Sequence, residues 1–137
     1  MSPLAAILMA DSAMTIARQE LGKSGEDLGV ETLERAGYAI LERRYRTRHG
    51  EIDIIARDGE AIVFVEVRRR SGGECGSAAE SVTPAKRRKV IRMAVDYLAR
   101  ADLWDKCPVR FDVVAIDDEP GGATRVTLYK AAFDAST

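Results

Sequence analysis

Two apolar runs, GEIDIIA over residues 50–56 and AIVFVEV over 61–67, carry acids where hydrophobic side chains would be the norm: Glu51 and Asp53 in the first, Glu66 in the second. Carboxylates gathered from neighbouring strands beside a cation are how a chain holds a divalent metal with hard oxygen ligands. Mg²⁺ suits such a site, because it takes one or two carboxylates and leaves its other positions to water and substrate phosphate. A metal held in this way acidifies a water and neutralises charge on a phosphodiester, which is nuclease chemistry. The competing reading is a solvent-exposed ladder of charges at strand ends, a frequent device of edge strands.

The elements that must position these acids are two strands, Glu51 to Ala56 and Ala61 to Arg69, joined through Asp58-Gly59, a dipeptide suited to a tight hairpin because it tolerates positive φ. With Asp58 and Gly59 as the two loop residues, Asp53 faces Phe64, Glu51 faces Glu66 and His49 faces Arg68. Alternation then puts Glu51, Asp53, Ile55, Ile62, Phe64, Glu66 and Arg68 on one face, and Ile52, Ile54, Ala61, Val63, Val65 and Val67 on the other. The second face is wholly apolar and is expected under a helix. Opposed Glu51 and Glu66 repel each other by a few tenths of a kcal/mol, so a positive group must compensate.

The rest of the chain supplies the scaffold. Ser12 to Ala36 reads as helix, interrupted by Gly22 and Gly25, with Ser24 and Asp27 spaced as a capping box and Gly37 as the stop. Tyr38 to Tyr45 reads as a strand with Tyr38 and Ile40 on one face. Ser71 to Thr83, rich in Gly, Ser and Ala, is long for an internal loop and is expected to cover something. Pro84 opens a helix to about Arg100 with Val90, Ile91, Ala94, Val95 and Leu98 as its apolar face, and Lys86, Arg87, Arg88, Lys89 and Arg92 in its first turns. Val109 to Ile116 is a further strand, and Arg125 to Tyr129 a short last one. Trp104 stands alone and is expected in the core.

Composition narrows the function classes. A chain of 137 residues with a net charge of −1 is most economically one domain, and any pull on a polyanion must come from local clustering of its 31% charged residues. Cys75 and Cys107 lack CxxC spacing and His49 is the only histidine, which excludes multi-histidine metal sites and fits reduced thiols in a cytoplasm. The opening MSPLAAILMA is too short to span a bilayer and lacks the basic start of a signal peptide, so no membrane role is expected. Residues 1–20 are expected to be an extension, partly disordered or helical, and 21–134 a single nuclease-like domain.

GEIDIIA followed by VFVEVR resembles the PD-(D/E)xK nuclease signature. The ordered blocks GEDLGVETLERAGYAIL, GEIDIIARDG, VFVEVRRR, SVTPAKRRK and VRFDVVAI resemble, more closely, the YraN-type family of small bacterial proteins. That resemblance implies a restriction-endonuclease-like α/β fold, a central mixed sheet flanked by helices with an αβββαβ core, akin to Holliday-junction resolvases and the tRNA-endonuclease-like domain. Carried over by position, Asp53 and Glu66 match the metal-binding acids, the main-chain carbonyl of Val67 a further ligand, and Glu26 the helix acid near the metal. Arg68 stands where the superfamily has lysine. An arginine stays protonated and cannot act as a general base, but it can orient water or brace the scissile phosphate. Glu51 and His49 are expected to support the ligands, or Glu51 instead to pair with Arg68 or Arg48.

Cations flank this acidic centre in the sequence. Arg43, Arg44, Arg46 and Arg48 end one strand, Arg68 to Arg70 end another, and Lys86 to Lys89 begin a helix. Arg44, Arg46, Arg48, Arg70, Lys86 and Arg88 are the expected contacts to nucleic-acid phosphates, with Lys86 foremost. The leading reading is a nuclease dependent on Mg²⁺ or Mn²⁺ that hydrolyses DNA rather than RNA, branched or flapped DNA included. The alternative is a noncatalytic nucleic-acid-binding or partner-docking module on the same fold. A homodimer is carried as a hypothesis, because related resolvases meet a junction with two symmetric cut sites.

Overall fold

The elements follow one another as β1 (Ala13–Ile16), α1 (Gly25–Arg35), β2 (Ala39–Thr47), β3 (Gly50–Asp58), β4 (Ala61–Ser71), α2 (Pro84–Arg100), β5 (Val109–Asp118) and β6 (Thr124–Phe133). The structure is a computed structural model and describes residues 13–16, 24–71 and 82–135. The strands form one mixed sheet in the order β1-β6-β5-β4-β3-β2. β4 and β5 are parallel, linked by the crossover through α2, and every other neighbouring pair is antiparallel. This is the expected α/β architecture, an αβββαβ core consistent with a restriction-endonuclease-like fold.

Each face of the sheet packs its own cluster. Leu28 and Leu33 of α1 meet Ile54, Ala56, Val63, Val65, Val114 and Ile116 on one side, joined by Tyr38 and Ile40 as expected. Val90, Met93, Ala94 and Leu98 of α2 meet Ile52, Ile55, Ile62, Phe64, Phe111 and Val113 on the other. Covered on both faces, β4 and β5 bury long unbroken runs, as central strands with a parallel pairing do.

Local chemistry sets the ends of the helices. The Ser24 hydroxyl accepts the Asp27 N–H at 3.0 Å, and Gly37 takes up φ +93° just past the C-cap Ala36. Thr83 caps α2 by accepting the Lys86 N–H at 3.2 Å, with Pro84 in the first turn. Gly29 is there for packing: a Cβ would lie 2.9 Å from Val67 Cγ2 and 3.3 Å from Ile54 Cδ1. Gly29→Ala gains about 1 kcal/mol of helix propensity and loses more than that to overpacking against branched Val67. A net destabilisation of about 1 kcal/mol is expected in urea unfolding, and a net gain would show that α1 can lift off the sheet freely.

Several expectations are corrected. Residues 13–16, read as helix, are a strand paired with β6. The last strand runs ten residues, Thr124–Phe133, beyond the short Arg125 to Tyr129 segment expected. Val95 is exposed and Met93 takes its place in the core, being three residues from Val90 on the inward stripe. Trp104 is 57% exposed, because it sits in the turn after α2. It lines an apolar groove of about 410 Å³ with Val95, Leu98, Val109 and Phe133. The expectations for residues 1–12 and 17–23, for Cys75 and for the covering loop at 72–81 lie outside the described residues.

Candidate active site

The hairpin does not have the expected register. Asp58 pairs with Ala61, Ile55 with Phe64 and Ile54 with Val65, so the loop is Gly59-Glu60 with positive φ at Gly59. The shift is by two residues, which changes every partner while leaving the alternation of β4 intact. Glu51 is therefore not opposite Glu66, nor His49 opposite Arg68. Pairing with β4 stops at Ile54, and extending it by one step sets Asp53 level with Glu66.

What replaces the next rung is a side-chain bond: Asp53 Oδ2 accepts the Val67 N–H at 2.8 Å. Beyond this point β3 follows β2 alone, through Tyr45↔Ile52, Arg46↔Glu51 and Thr47↔Gly50. The alternation of β3 breaks there as well. Ile52, expected beside Ile54, packs with Ile55 under α2, because the strand reorients once it leaves β4.

Asp53 and Glu66 are thus held at the fork where β3 and β4 part. Glu66 is 1% exposed, and its Oε1 has no hydrogen-bond partner. Its Oε2 lies 3.6 Å from Lys86 Nζ, from the first turn of α2. Burial, and then the charge of Asp53, push the Glu66 carboxyl up to about 8, against the opposing pull of Lys86 and Arg68. Burial also raises Asp53; the Val67 N–H and Lys86 offset part of this, while Glu51 and Glu26 add to it. Two buried acids, one of them made harder to ionise by the charge of the other, form a site that a cation would relieve.

The remaining expected residues surround this pair with ion pairs of their own. Glu26, at the start of α1, accepts from Arg43 Nε at 3.0 Å and from Arg44 Nε, while Arg43 Nη2 reaches Asp27 at 2.6 Å. Burial pushes Glu26 up, but the two guanidiniums outweigh it and hold the carboxyl below its usual range. Successive strand residues normally point to opposite faces. Arg44 sits at φ +54°, which lets it and Arg43 reach the same carboxylate. Glu51 pairs with Arg46 at 3.0 Å, its cross-strand neighbour, and not with Arg68 or Arg48. His49 lies in the β2–β3 turn, close enough to Asp96 of α2 to be felt by its carboxylate. Arg68 and Arg70 are half-buried on β4, and Arg48 and Arg88 are exposed. Among the described residues no group of three or more His, Cys, Asp or Glu could hold a metal ion. The side-chain donors that the described residues bring to the fork are therefore two carboxylates, hard oxygen ligands of the number Mg²⁺ takes.

Sequence reading missed the contact of Lys86 with Glu66, having placed Lys86 on a phosphate. A signal was available. α2 has no acid in its first turn, and cations there oppose the helix macrodipole unless something else holds them.

A family model described as uncharacterised protein family UPF0102 matches residues 25–116. The chain belongs to the UPF0102 family. A UPF0102 protein of Symbiobacterium thermophilum is 44% identical over 117 residues, covering 85% of this chain and 98% of that protein. One from Anaeromyxobacter dehalogenans is 46% identical over 120 residues, covering 85% and 86%. One from Legionella pneumophila is 42% identical over 117 residues, covering 85% and 97%. The family match spans Glu26, the fork acids and all but the last two residues of β5, and the family is the YraN-type one that the ordered blocks resembled. Among the described residues no helix is long and apolar enough to cross a membrane.

Proposed function

We propose that this UPF0102 chain is a divalent-metal-dependent nuclease of the PD-(D/E)xK type, hydrolysing phosphodiester bonds of DNA. One observation carries the reading: Glu66 is buried with an oxygen that has no hydrogen-bond partner, beside a second buried acid, Asp53. An uncompensated carboxylate in such a place costs several kcal/mol unless it is protonated or bound by a cation. Asp53 and Glu66 would hold the cation, with the Val67 carbonyl as a third donor. A cation bound there supplies neutralising charge for a scissile phosphodiester and a more acidic water. Asp53 is kept aimed at the fork by its bond to the Val67 N–H. Arg68 braces phosphate and cannot take a proton. Exposed Arg48 and Arg88 would hold the nucleic-acid backbone through its phosphates, a sequence-independent role.

A second reading has its own observation. Lys86 already lies against Glu66, and arginine stands at 68, which fits a noncatalytic nucleic-acid-binding module that balances its acids internally. Branched, flapped, duplex and single-stranded DNA, each incubated with Mg²⁺ or Mn²⁺ and with chelator, separate the two. The nuclease reading expects metal-dependent cutting by the wild type and none by Asp53→Asn or Glu66→Gln, with binding retained. Asp53→Asn keeps an oxygen for the Val67 N–H, so its loss of cutting would not reflect unfolding. Binding that is unchanged by chelator, with no cutting of any substrate, supports the second reading.

A further inference from the structure

Lys86 and Glu66 are unequal partners. The carboxylate is buried and fixed by its strand, whereas the Lys86 side chain is 37% exposed and reaches it from a helix end. At 3.6 Å the contact is an ion pair looser than a good hydrogen bond, and it engages one oxygen only. Among the described residues, the acids drawn to Lys86 are those of the fork, Glu66 and, across it, Asp53. The first turn of α2 contains no acid, its N–H groups present positive charge, and Arg88 and Lys89 follow on the same turn. The charge of Asp53 across the fork, together with an acceptor oxygen of Glu66, is what holds the ammonium in place, and a flexible four-carbon stem lets it leave.

We propose that Lys86 is an exchangeable counter-ion of the Asp53–Glu66 pair: it occupies Glu66 when no divalent cation is bound and turns to a substrate phosphate when one is. This rests on the metal-dependent reading above. It adds that metal and polyanion bind cooperatively through one side chain. A cation on the acids removes the charge that holds Lys86 and repels the ammonium. The released side chain offers three N–H donors to a phosphate at the same fork. By linkage, the polyanion must then strengthen metal binding by the same factor.

Mn²⁺ titration by calorimetry, with and without a cleavage-resistant phosphorothioate oligodeoxynucleotide, tests this on the full chain. Lys86→Met should bind Mn²⁺ about tenfold more tightly than wild type without the oligonucleotide, since a competing like charge is gone. Lys89→Met, which removes the same net charge from an exposed position, should not. In the wild type Mn²⁺ should tighten oligonucleotide binding about five- to tenfold, Lys86→Met should lose that coupling, and Lys86→Arg should keep most of it. Equal Mn²⁺ affinity in wild type, Lys86→Met and Lys89→Met overturns the exchange, as does coupling that survives in Lys86→Met. A wild type that binds no Mn²⁺ overturns the metal reading and the exchange together. One that binds and couples but never cuts DNA removes only the nuclease assignment.

Discussion

In chelator, the wild-type protein should lose stability as the pH rises from about 4.5 to about 8, and Glu66→Gln should remove the Glu66 part of that loss, leaving what the raised Asp53 contributes in the same sense. Across this interval the folded protein keeps a proton on Glu66 that the unfolded chain has released, so each step up in pH favours unfolding. Below 4.5 both states are protonated, and above 8 both are ionised, so the profile flattens at each end of the window. A folded pKa of about 8 against an ordinary 4.5 corresponds to roughly 4–5 kcal/mol at full extent. The lowered carboxyls of Glu26, Asp27, Asp96 and Asp118 act in the opposite sense. Their ion pairs and hydrogen bonds stabilise the fold above their unfolded values and are lost on acidification, so they fall outside the window. Millimolar Mn²⁺ should restore stability at pH 8 to the wild type and not to Glu66→Gln, because a cation binds the ionised form of the folded state alone. Urea midpoints measured from pH 5 to 8.5 decide it. A flat wild-type profile in chelator would mean that Lys86 fully compensates an ionised Glu66, and the case for a metal at the fork would lose its footing.

Asp112→Ala should cost about 3–5 kcal/mol while leaving any metal-induced rise in melting temperature unchanged. Asp112 is fully buried on the α1 side of the sheet and accepts from three sources. The Tyr38 hydroxyl donates at 2.7 Å, Arg110 Nε at 2.9 Å and the Ala131 N–H at 3.0 Å. Ala131 sits at φ +52°, where the β5–β6 register shifts, so the carboxylate closes a backbone irregularity that the ladder cannot satisfy. Arg110 also donates to Asp58 at the end of β3, which ties the hairpin to the opposite half of the sheet. Burial, with the Asp112 charge behind it, drives the Tyr38 hydroxyl far above its ordinary range, so it serves as a donor throughout the working pH. Removing Asp112 strands a tyrosine hydroxyl, a backbone N–H and much of a guanidinium. Tyr38→Phe, which removes the donor to Asp112 and one acceptor of Arg110, at 2.7 Å each, while leaving the carboxylate its other partners, should cost only about 1–2 kcal/mol. Comparable losses in the two variants, or a metal response abolished by Asp112→Ala, would show that the network and the fork are one unit.

Much of the scaffold was legible because it depends on short-range rules. Ser24 as a cap, Gly37 and Pro84 as helix boundaries, and the alternation of β4 follow from spacing alone. The loop residues were not. Asp58-Gly59 and Gly59-Glu60 both place Gly59 at a positive-φ position, and the structure chooses the second, where Asp58 is drawn into the ladder and onto Arg110 and Lys130. That choice belongs to residues far along the chain. The strand at residues 13–16 was hidden for a like reason, since helix-favouring residues become a strand where β6 offers an open edge.

By itself the sequence determined the residue types at the site, two acids set into apolar strands with cations near them, and the order of elements that brings those strands side by side. The tertiary structure decided how the acids meet. β3 leaves β4 at Asp53, so the acid lies level with Glu66 and spends an oxygen on the Val67 N–H instead of continuing the ladder. It also decided which cation answers which acid. Arg43 and Arg44 go to Glu26, Arg46 to Glu51 and Lys86 to Glu66, because pairing depends on distances of a few ångströms across elements that only packing brings together.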